Sequence, residues 1–260
     1  MKIKEILNAL ERFAPLPLQD DYDNAGLQIG LTDAEVTGAL LCLDVTEPIL
    51  DEAIALGCNL VVAHHPLIFR GCKSITGKNY IERCIAKAIK NDVAIYCAHT
   101  NLDNAPQGVS FRMADKIGLV DVEVLAPQPG ENSVGAGVIG RLVEPLTELE
   151  FLKHIKKTFE VECLRHNKLA GREIETVALC GGAGAFLMQT AIDQHADVFL
   201  TGEIKYHDFF GHESDILLAE IGHYESEQFT KEIFADILRT HCPDVEVFAT
   251  KLNTNPIKYL

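Results

Sequence analysis

The segment at residues 60–63 most constrains the fold, because two adjacent histidines and a proline follow it directly. Its four apolar residues, two of them β-branched, predict a short buried strand. Pro66 ends the strand, since proline has no N–H to donate. In an open parallel sheet, ligands bind beyond the carboxyl ends of the strands. His64 and His65 are therefore candidate metal ligands; the alternative is one histidine packed in the core and one in a solvated turn.

The order of strand, helix and strand continues on both sides of this segment. Apolar stretches and helical periodicity alternate at residues 39–43, 48–56, 59–63, 80–90 and 93–98. His99 and Asp103 come just after the last of these strands. Because βαβ connections bring the ends of parallel strands to one sheet edge, we expect their side chains to face the same crevice as His64 and His65.

The second half of the chain repeats this pattern. Shifted by 138 positions without gaps, the first strand–helix–strand unit aligns with residues 177–201, and His64 and His65 align with Gly202 and Glu203. Four identities support the alignment, namely Leu41/Leu179, Cys42/Cys180, Ala53/Ala191 and Ile54/Ile192. The matched order of elements predicts an α/β fold built from duplicated βα modules with mainly parallel sheets.

Residues 122–172 differ in character. Prolines and glycines interrupt the apolar pattern there, a strand is predicted at 138–142, and Thr147 and Glu150 have the spacing of a helix-capping box. These features predict a small inserted α+β segment. The duplicated modules would then cover residues 1–121 and 173–260.

His223 and Glu227 follow a predicted strand at residues 216–219 and lie four positions apart. On a helix, that spacing places both on one face, about one turn apart. An isolated match would favour a helix-capping histidine and a surface glutamate. Here the pair joins other nitrogen and oxygen donors beyond strand ends, which gives five candidate metal ligands: His64, His65, Asp103, His223 and Glu227.

Five ligands exceed the three or four that one catalytic zinc uses. They suit two divalent metal ions per chain, bridged by a carboxylate and about 3.5–4 Å apart, as in two-metal hydrolases. Imidazole and carboxylate donors without thiolate fit Zn, Fe, Mn, Ni or Co, and they do not choose among them. A bridging Glu227 would leave positions for water and hence a hydroxide nucleophile near neutral pH.

Three further residues, Glu203, His207 and His99, are candidate catalytic groups. They fit either acid–base roles or hydrogen bonds that orient metal ligands, and His207 equally fits a plain surface residue. Lys205 and Tyr206 offer a cation and a phenol to an anionic substrate.

Glycines mark two more stretches. The loop at residues 181–184 lies between a predicted strand and a helix, where glycine can admit a phosphate. It lacks both G-x-G-x-x-G and the Lys-Ser/Thr of a P-loop, so close backbone packing is the favoured interpretation. The glycines of residues 21–30 predict tight turns in a plain loop.

Charge and composition disfavour several classes of protein. The formal net charge of −15 weighs against nucleic-acid binding, which needs a basic surface. No apolar run approaches the ~20 residues of a membrane helix, and the N-terminus lacks the apolar core of a signal peptide. The eight cysteines include no Cys-x-x-Cys pair, so neither a disulfide framework nor a zinc knuckle is predicted. We expect a cytoplasmic protein.

Short motifs from near residue 20 to the C-terminal tail carry a resemblance to a known family. They are Asp23-Asn24-x-Gly26-Leu27-Gln28-x-Gly30, Ala63-His64-His65-Pro66, His99-Thr100-Asn101-Leu102-Asp103, Gly181-Gly182-x-Gly184, Thr201-Gly202-Glu203 with His207, Gly222-His223-Tyr224-x-Ser226-Glu227 and Asn255-Pro256. In these motifs the chain resembles the Nif-three-like family, also called GTP cyclohydrolase I type 2 homologues. Many members have Trp at the position of Tyr22, and some carry a large middle domain for which residues 122–172 are too short.

The resemblance implies a dinuclear metal site whose ligands map onto the same five residues. It also implies a toroidal homohexamer, built as a trimer of dimers. The family name implies hydrolysis of the GTP imidazole ring, although the sequence identifies no guanine pocket. The leading hypothesis is a metal-dependent hydrolase that attacks a small, nucleotide-like substrate through a metal-bound hydroxide. The alternative is a non-enzymatic, ring-shaped scaffold that binds or handles metal.

Overall fold

The structure is a computed structural model that describes residues 1–212 and 214–260. Its helices are α1 (Ile3–Phe13), α2 (Glu47–Ala55), α3 (Tyr80–Lys90), α4 (Thr100–Asp103), α5 (Val109–Ile117), α6 (Glu148–Thr158), α7 (Met188–Asp193), α8 (His223–Glu227) and α9 (Thr230–His241). Its strands are β1 (Gly26–Ile29), β2 (Ala39–Cys42), β3 (Leu60–Ala63), β4 (Ala94–Cys97), β5 (Leu119–Gln128), β6 (Glu131–Thr147), β7 (Arg165–His166), β8 (Glu173–Cys180), β9 (Val198–Thr201), β10 (Leu217–Glu220) and β11 (Val247–Ala249). No helix among the described residues has the length and apolar character that crossing a membrane requires.

The first of two compact units comprises residues 1–102 and 229–256. Its described residues form a five-stranded sheet in the order β1-β4-β3-β2-β11. β11, β2, β3 and β4 are parallel neighbours, while β1 pairs antiparallel with β4. Cys42 lies opposite Ala63, and Ala63 lies opposite Cys97. The three central strands therefore end level with one another, and the residues that follow them leave the sheet at one edge.

Both faces of this sheet are buried. Leu40, Val61 and Ile95 belong to one apolar cluster with residues of α2 and α3. The alternate strand residues, such as Leu41 and Tyr96, are fully buried as well. Continuous apolar strands are what a parallel sheet covered on both faces requires. The strand and helix order predicted for residues 39–98 is confirmed, with element ends within one or two residues.

Strand β1 lies where the glycines predict a plain loop, so that prediction is wrong for residues 26–29. Gly26 and Gly30 flank the strand with φ angles of 110° and 113°. A Cβ at Gly30 would clash with Ala94 of β4. Glycine therefore permits the backbone after this edge strand to approach its neighbour closely.

The second compact unit comprises residues 103–228 and 257–260. Its described residues form a six-stranded sheet in the order β5-β6-β8-β9-β10-β7. β8, β9 and β10 are parallel, whereas β5, β6 and β7 pair antiparallel with their neighbours. The prediction of mainly parallel sheets is therefore wrong for this unit. The fold is mixed α/β with two mixed sheets, and the duplication of βα modules is not shown.

The difference arises from residues 119–147, whose glycines resemble breaks in the sequence but lie within the β5–β6 hairpin. A Cβ at Gly135 or Gly140 would crowd backbone atoms of β5, so glycine lets the two strands come together. The capping box of Thr147 and Glu150 starts α6 as predicted. That residues 122–172 are an insertion stays a prediction.

Candidate metal centre

Three histidines of the first unit come together beyond the ends of β3 and β4. His64 and His65 follow β3 directly, and His99 follows β4 after one residue. One ring nitrogen of each lies within 4.8 Å of those of the other two. The ring centroids are 5.0, 5.3 and 5.5 Å apart. Imidazoles at this spacing can contribute ligands to a shared metal site.

Each of these rings is held through its Nδ1 atom. The acceptors are the carbonyl oxygen of Ala98 for His64 (2.8 Å), Oδ1 of Asp44 for His65 (2.7 Å) and Oδ1 of Asp23 for His99 (2.8 Å). A carbonyl or ionised carboxylate oxygen only accepts, so the proton must lie on Nδ1. In this tautomer the lone pair is on Nε2, and a neutral imidazole binds metal through that lone pair.

Asp23 is the most enclosed of these acceptors, with a fully buried side chain. It also accepts hydrogen bonds from the N–H and hydroxyl of Thr100 and from the N–H of Asn24. Burial alone would raise the pKa of Asp23. The hydrogen bonds from His99 and Thr100 outweigh burial and hold the pKa well below its ordinary range. Asp23 is thus a fixed carboxylate that anchors His99.

Asp44 anchors His65 and is itself held from the C-terminal tail. Its Oδ1 accepts from His65, while its Oδ2 accepts from the hydroxyl of Thr254 at 2.6 Å. From the sequence, Asp44 was assigned no role, and Asp23 was noted only as the first residue of a family motif. A usable signal exists for Asp44, because it leaves β2 at the same sheet edge at which His64 leaves β3.

The candidate ligands of the second unit are mainly carboxylates. His223 and Glu227 lie on α8, with His223 Nε2 3.1 Å from Glu227 Oε2, as their spacing predicts. A carboxylate oxygen of Asp103 lies within 4.8 Å of one of Glu227. His223 Nδ1 donates to Oε1 of Glu203 at 2.8 Å. Carboxylates this close repel one another unless a proton or cation compensates, so the group suits a metal ion.

The glycine-rich loop after β8 packs against this group. A Cβ at Gly182 would clash with Oε1 of Glu227, and one at Gly202 would crowd Oγ of Ser226. Ser226 Oγ accepts a hydrogen bond from the N–H of Gly182 and donates to the carbonyl oxygen of His223. The prediction of close backbone packing is confirmed. Glycine makes room here for a glutamate that is only 3% exposed.

The three predicted catalytic residues fall in two places. His99 lies with the other two histidines of the first unit, which makes it a candidate ligand as well as an acid–base group. In the second unit, Glu203 anchors His223, and His207 lines the same cavity as Glu203. Their catalytic roles stay predictions.

The chemistry of the donor set fits a divalent metal ion. Imidazole nitrogens and carboxylate oxygens are present, and further hydrogen bonds orient the rings in the way that metal ligands are usually oriented. Among the described residues, no cysteine belongs to these clusters. Burial also raises the pKa of the Cys42 and Cys97 thiols. These clusters are compatible with the first-row metals expected from the sequence.

Comparison with known proteins places the chain in a family. The model of the Duf34/NIF3 (NGG1p interacting factor 3) family matches residues 1–256. The chain belongs to this family. It is 34% identical to the GTP cyclohydrolase 1 type 2 homolog of Lactococcus lactis, with 98% of both chains covered. It is 30% identical to the homolog of Clostridium perfringens over the whole of both chains. The resemblance seen in the motifs is confirmed.

Solved structures of relatives share the fold of this NIF3-family chain. The crystal structure of a Bacillus cereus protein related to NIF3 matches with a TM-score of 0.90 and 26% identity, over 100% of this chain and 99% of that one. A Staphylococcus aureus hypothetical protein matches with a TM-score of 0.93 and 29% identity over the same shares.

Proposed function

We propose that this NIF3-family chain is a metal-dependent hydrolase of a small, nucleotide-like substrate. Two divalent ions would be bound by His64, His65, Asp103, His223 and Glu227. The observation that carries the proposal is the common anchoring of the histidines. The Nδ1 atom of each donates to a carboxylate or carbonyl oxygen, so the lone pair of Nε2 would be the one to bind a metal.

Different side chains of the protein would orient the metal ligands and transfer protons. Asp44 and Glu203 hold His65 and His223 in the tautomer and orientation that a metal ligand needs. When bound, divalent ions supply Lewis-acid charge and activate water near neutral pH. His207 lines the same cavity as Glu203. From that position the imidazole of His207 can accept a proton from the substrate or deliver one to it.

The proposed substrate class follows from the relatives. Curated relatives carry the name GTP cyclohydrolase 1 type 2 homolog, which makes GTP the first molecule to test. Opening of its imidazole ring is a hydrolysis, a reaction that suits a centre of imidazole and carboxylate ligands. Hydrolysis of other purine nucleotides should be measured alongside that of GTP.

Metal content and turnover are to be measured in the same samples. The purified chain should hold about two metal ions and hydrolyse a purine nucleotide only while metal is present. Glu227→Gln preserves side-chain size next to Gly182, so the fold should survive while metal content and turnover fall. Glu225→Gln, on the same helix, is the matched control and should keep both.

Each outcome separates the hypotheses. Turnover that persists in metal-free, folded Glu227→Gln would exclude the metal-dependent hydrolase. Two bound ions with no turnover on any nucleotide would support the alternative, a metal-binding scaffold. A metal ratio near zero that added metal does not restore would contradict both.

We further propose that the chain assembles as a toroidal homohexamer, a trimer of dimers. Membership of the NIF3 family supports this proposal. Light scattering on the purified protein should give six times the mass of one chain, and a monomeric or dimeric mass would contradict it.

A further inference from the structure

A cavity of about 640 Å³ lies in the second unit, and one residue of its wall contacts the candidate metal ligand His223. The link is Glu203, which lines the cavity and accepts the hydrogen bond from His223 Nδ1. Small-molecule sites typically have volumes of roughly 300–1,000 Å³. The cavity therefore has room for a substrate next to a residue of the proposed metal centre.

The polar side of the cavity carries nitrogen groups beside two carboxylates. Lys205, His207 and His212 line it, and Asp208 is the lining carboxylate not engaged by His223. Within residues 1–212 and 214–260, Lys205 forms no ion pair. Nδ1 of His212 is buried and has no hydrogen-bond partner among the same residues. A buried polar atom of this kind calls for a partner, and the residue that carries it is part of the cavity lining.

The apolar side of the cavity presents an aromatic ring. Phe186 lies on the 3-10 helix Gly184–Leu187, directly after the glycine-rich loop, and lines the cavity together with Met188. Phe186 is 69% exposed. An exposed aromatic ring in a cavity wall offers a flat face on which a planar ligand can stack.

We propose that this cavity is the substrate site, and that it takes a small molecule in which an anionic group is attached to a planar ring. The anionic group contacts Lys205 and His212, and the ring stacks on Phe186. The identification of the ligand as substrate rests on the proposed hydrolase function, whereas binding in the cavity does not require the metal. A phosphate and a carboxylate share the required chemistry.

Titration calorimetry on the purified full chain tests this with probes that cannot be hydrolysed: phenylphosphonate, benzoate and cyclohexylphosphonate. Phenylphosphonate should bind with a Kd of about 1 mM or below. Lys205→Gln should raise that Kd about tenfold, and Phe186→Leu about threefold. Cyclohexylphosphonate should bind about threefold more weakly than phenylphosphonate. Lys168→Gln, at a lysine lining a different cavity of the same unit, is the matched control and should bind like the wild type.

Metal content measured in every sample keeps this inference separate from the hydrolase proposal. Phenylphosphonate binding that survives in metal-free Glu227→Gln supports the cavity even if no turnover is found. Unchanged affinity in both Lys205→Gln and Phe186→Leu, or no binding at about 10 mM probe, overturns the inference whatever the metal content. Equal affinity for the cyclohexyl and phenyl probes would contradict the proposal that the ligand stacks a planar ring on Phe186. The tighter of benzoate and phenylphosphonate identifies the anion.

Discussion

The two units hold their candidate metal ligands in different ways. In the first unit, three imidazoles are anchored by a backbone carbonyl oxygen and two aspartates, one of which has a fully buried side chain. In the second, His223 is anchored by Glu203, whose side chain is 58% exposed. A buried anchor is fixed by its surroundings, whereas an exposed glutamate keeps more rotamer freedom. We infer a rigid histidine group in the first unit and an adjustable carboxylate group in the second.

Both groups nevertheless follow the ends of parallel strands. β3 pairs with β2 and leads to His64, while β9 pairs with β8 and leads to Gly202 and Glu203. In the first unit the strand delivers ligands directly. In the second it delivers a glycine that makes room beside Ser226 and a glutamate that orients His223. The same backbone arrangement can therefore supply either the ligands or their support.

The largest effect is expected from removing the buried anchor of the first unit. Asp23→Ala leaves the His99 ring and the N–H and hydroxyl of Thr100 without their acceptor. The free energy of unfolding should fall by about 3 kcal/mol, measured by urea denaturation. Asp33→Ala, at an exposed aspartate of the same unit, should change it little. Equal losses in the two variants would show that Asp23 is no more fixed than a surface residue.

In the second unit, substitution of Gly182 by alanine tests whether the glycine-rich loop positions Glu227. Gly182→Ala places a Cβ against Glu227, so metal affinity should fall by about 10-fold or more, measured by competition with a chelator. Gly171→Ala is the matched control, because the φ angles of the two glycines are similar, 60° and 79°, and no described atom lies within 4 Å of the Cβ at Gly171. Gly171→Ala should cost stability but leave metal affinity unchanged. Equal metal affinities would mean that the loop does not position Glu227.

A direct comparison of the anchors gives a smaller effect. Asp44→Asn should weaken metal binding about tenfold, because it disturbs a ring held in a rigid group. Glu203→Gln should weaken it only about twofold to threefold, because an exposed and adjustable anchor is more easily replaced. The measurement is again chelator competition, with circular dichroism to verify folding. A larger effect of Glu203→Gln would reverse the assignment of rigid and adjustable groups.

The smallest perturbation is thiol labelling, which leaves the site intact. Cys72 in the first unit and Cys163 in the second are exposed, and the other cysteines are buried. Burial raises the pKa of Cys58 and of Cys84 to about 11. Ellman's reagent at pH 8 should therefore modify only Cys72 and Cys163 in the folded protein, and the rest after denaturation. Fast reaction of a buried thiol would indicate that its unit opens readily.

Local signals in the sequence predicted the elements that lead into the site. The helix at residues 80–90, the capping box at Thr147 and the strands before His64 and His99 follow from periodicity and turn residues. Of β1 and the β5–β6 hairpin, only residues 138–142 of β6 were predicted as a strand. The rest was missed because it depends on which backbone approaches a glycine. That approach is a long-range property, which local residue types do not encode.

The same difference between local and long-range signals explains which residues of the candidate metal centre could be predicted. Candidate ligands were predictable, because His and Glu at fixed spacings beyond strand ends have a chemical meaning. Among the anchors, Glu203 was predicted either to orient a ligand or to act as an acid–base group. Asp23 and Asp44 were not predicted as anchors, because they act through hydrogen bonds to residues 76 and 21 positions away. A single sequence records spacing along the chain, whereas an anchor is defined by contact in space.

The hydrogen bond from Thr254 to Asp44 has a consequence for handling the protein. Residues 250–260 have no regular secondary structure, yet the Thr254 hydroxyl supports the carboxylate that orients His65. Proteolytic clipping just before Thr254, or a bulky fusion attached near it, would disturb a histidine that is distant along the chain. A preparation damaged in this way would be misread as one with poor metal loading, although every candidate ligand is still in place.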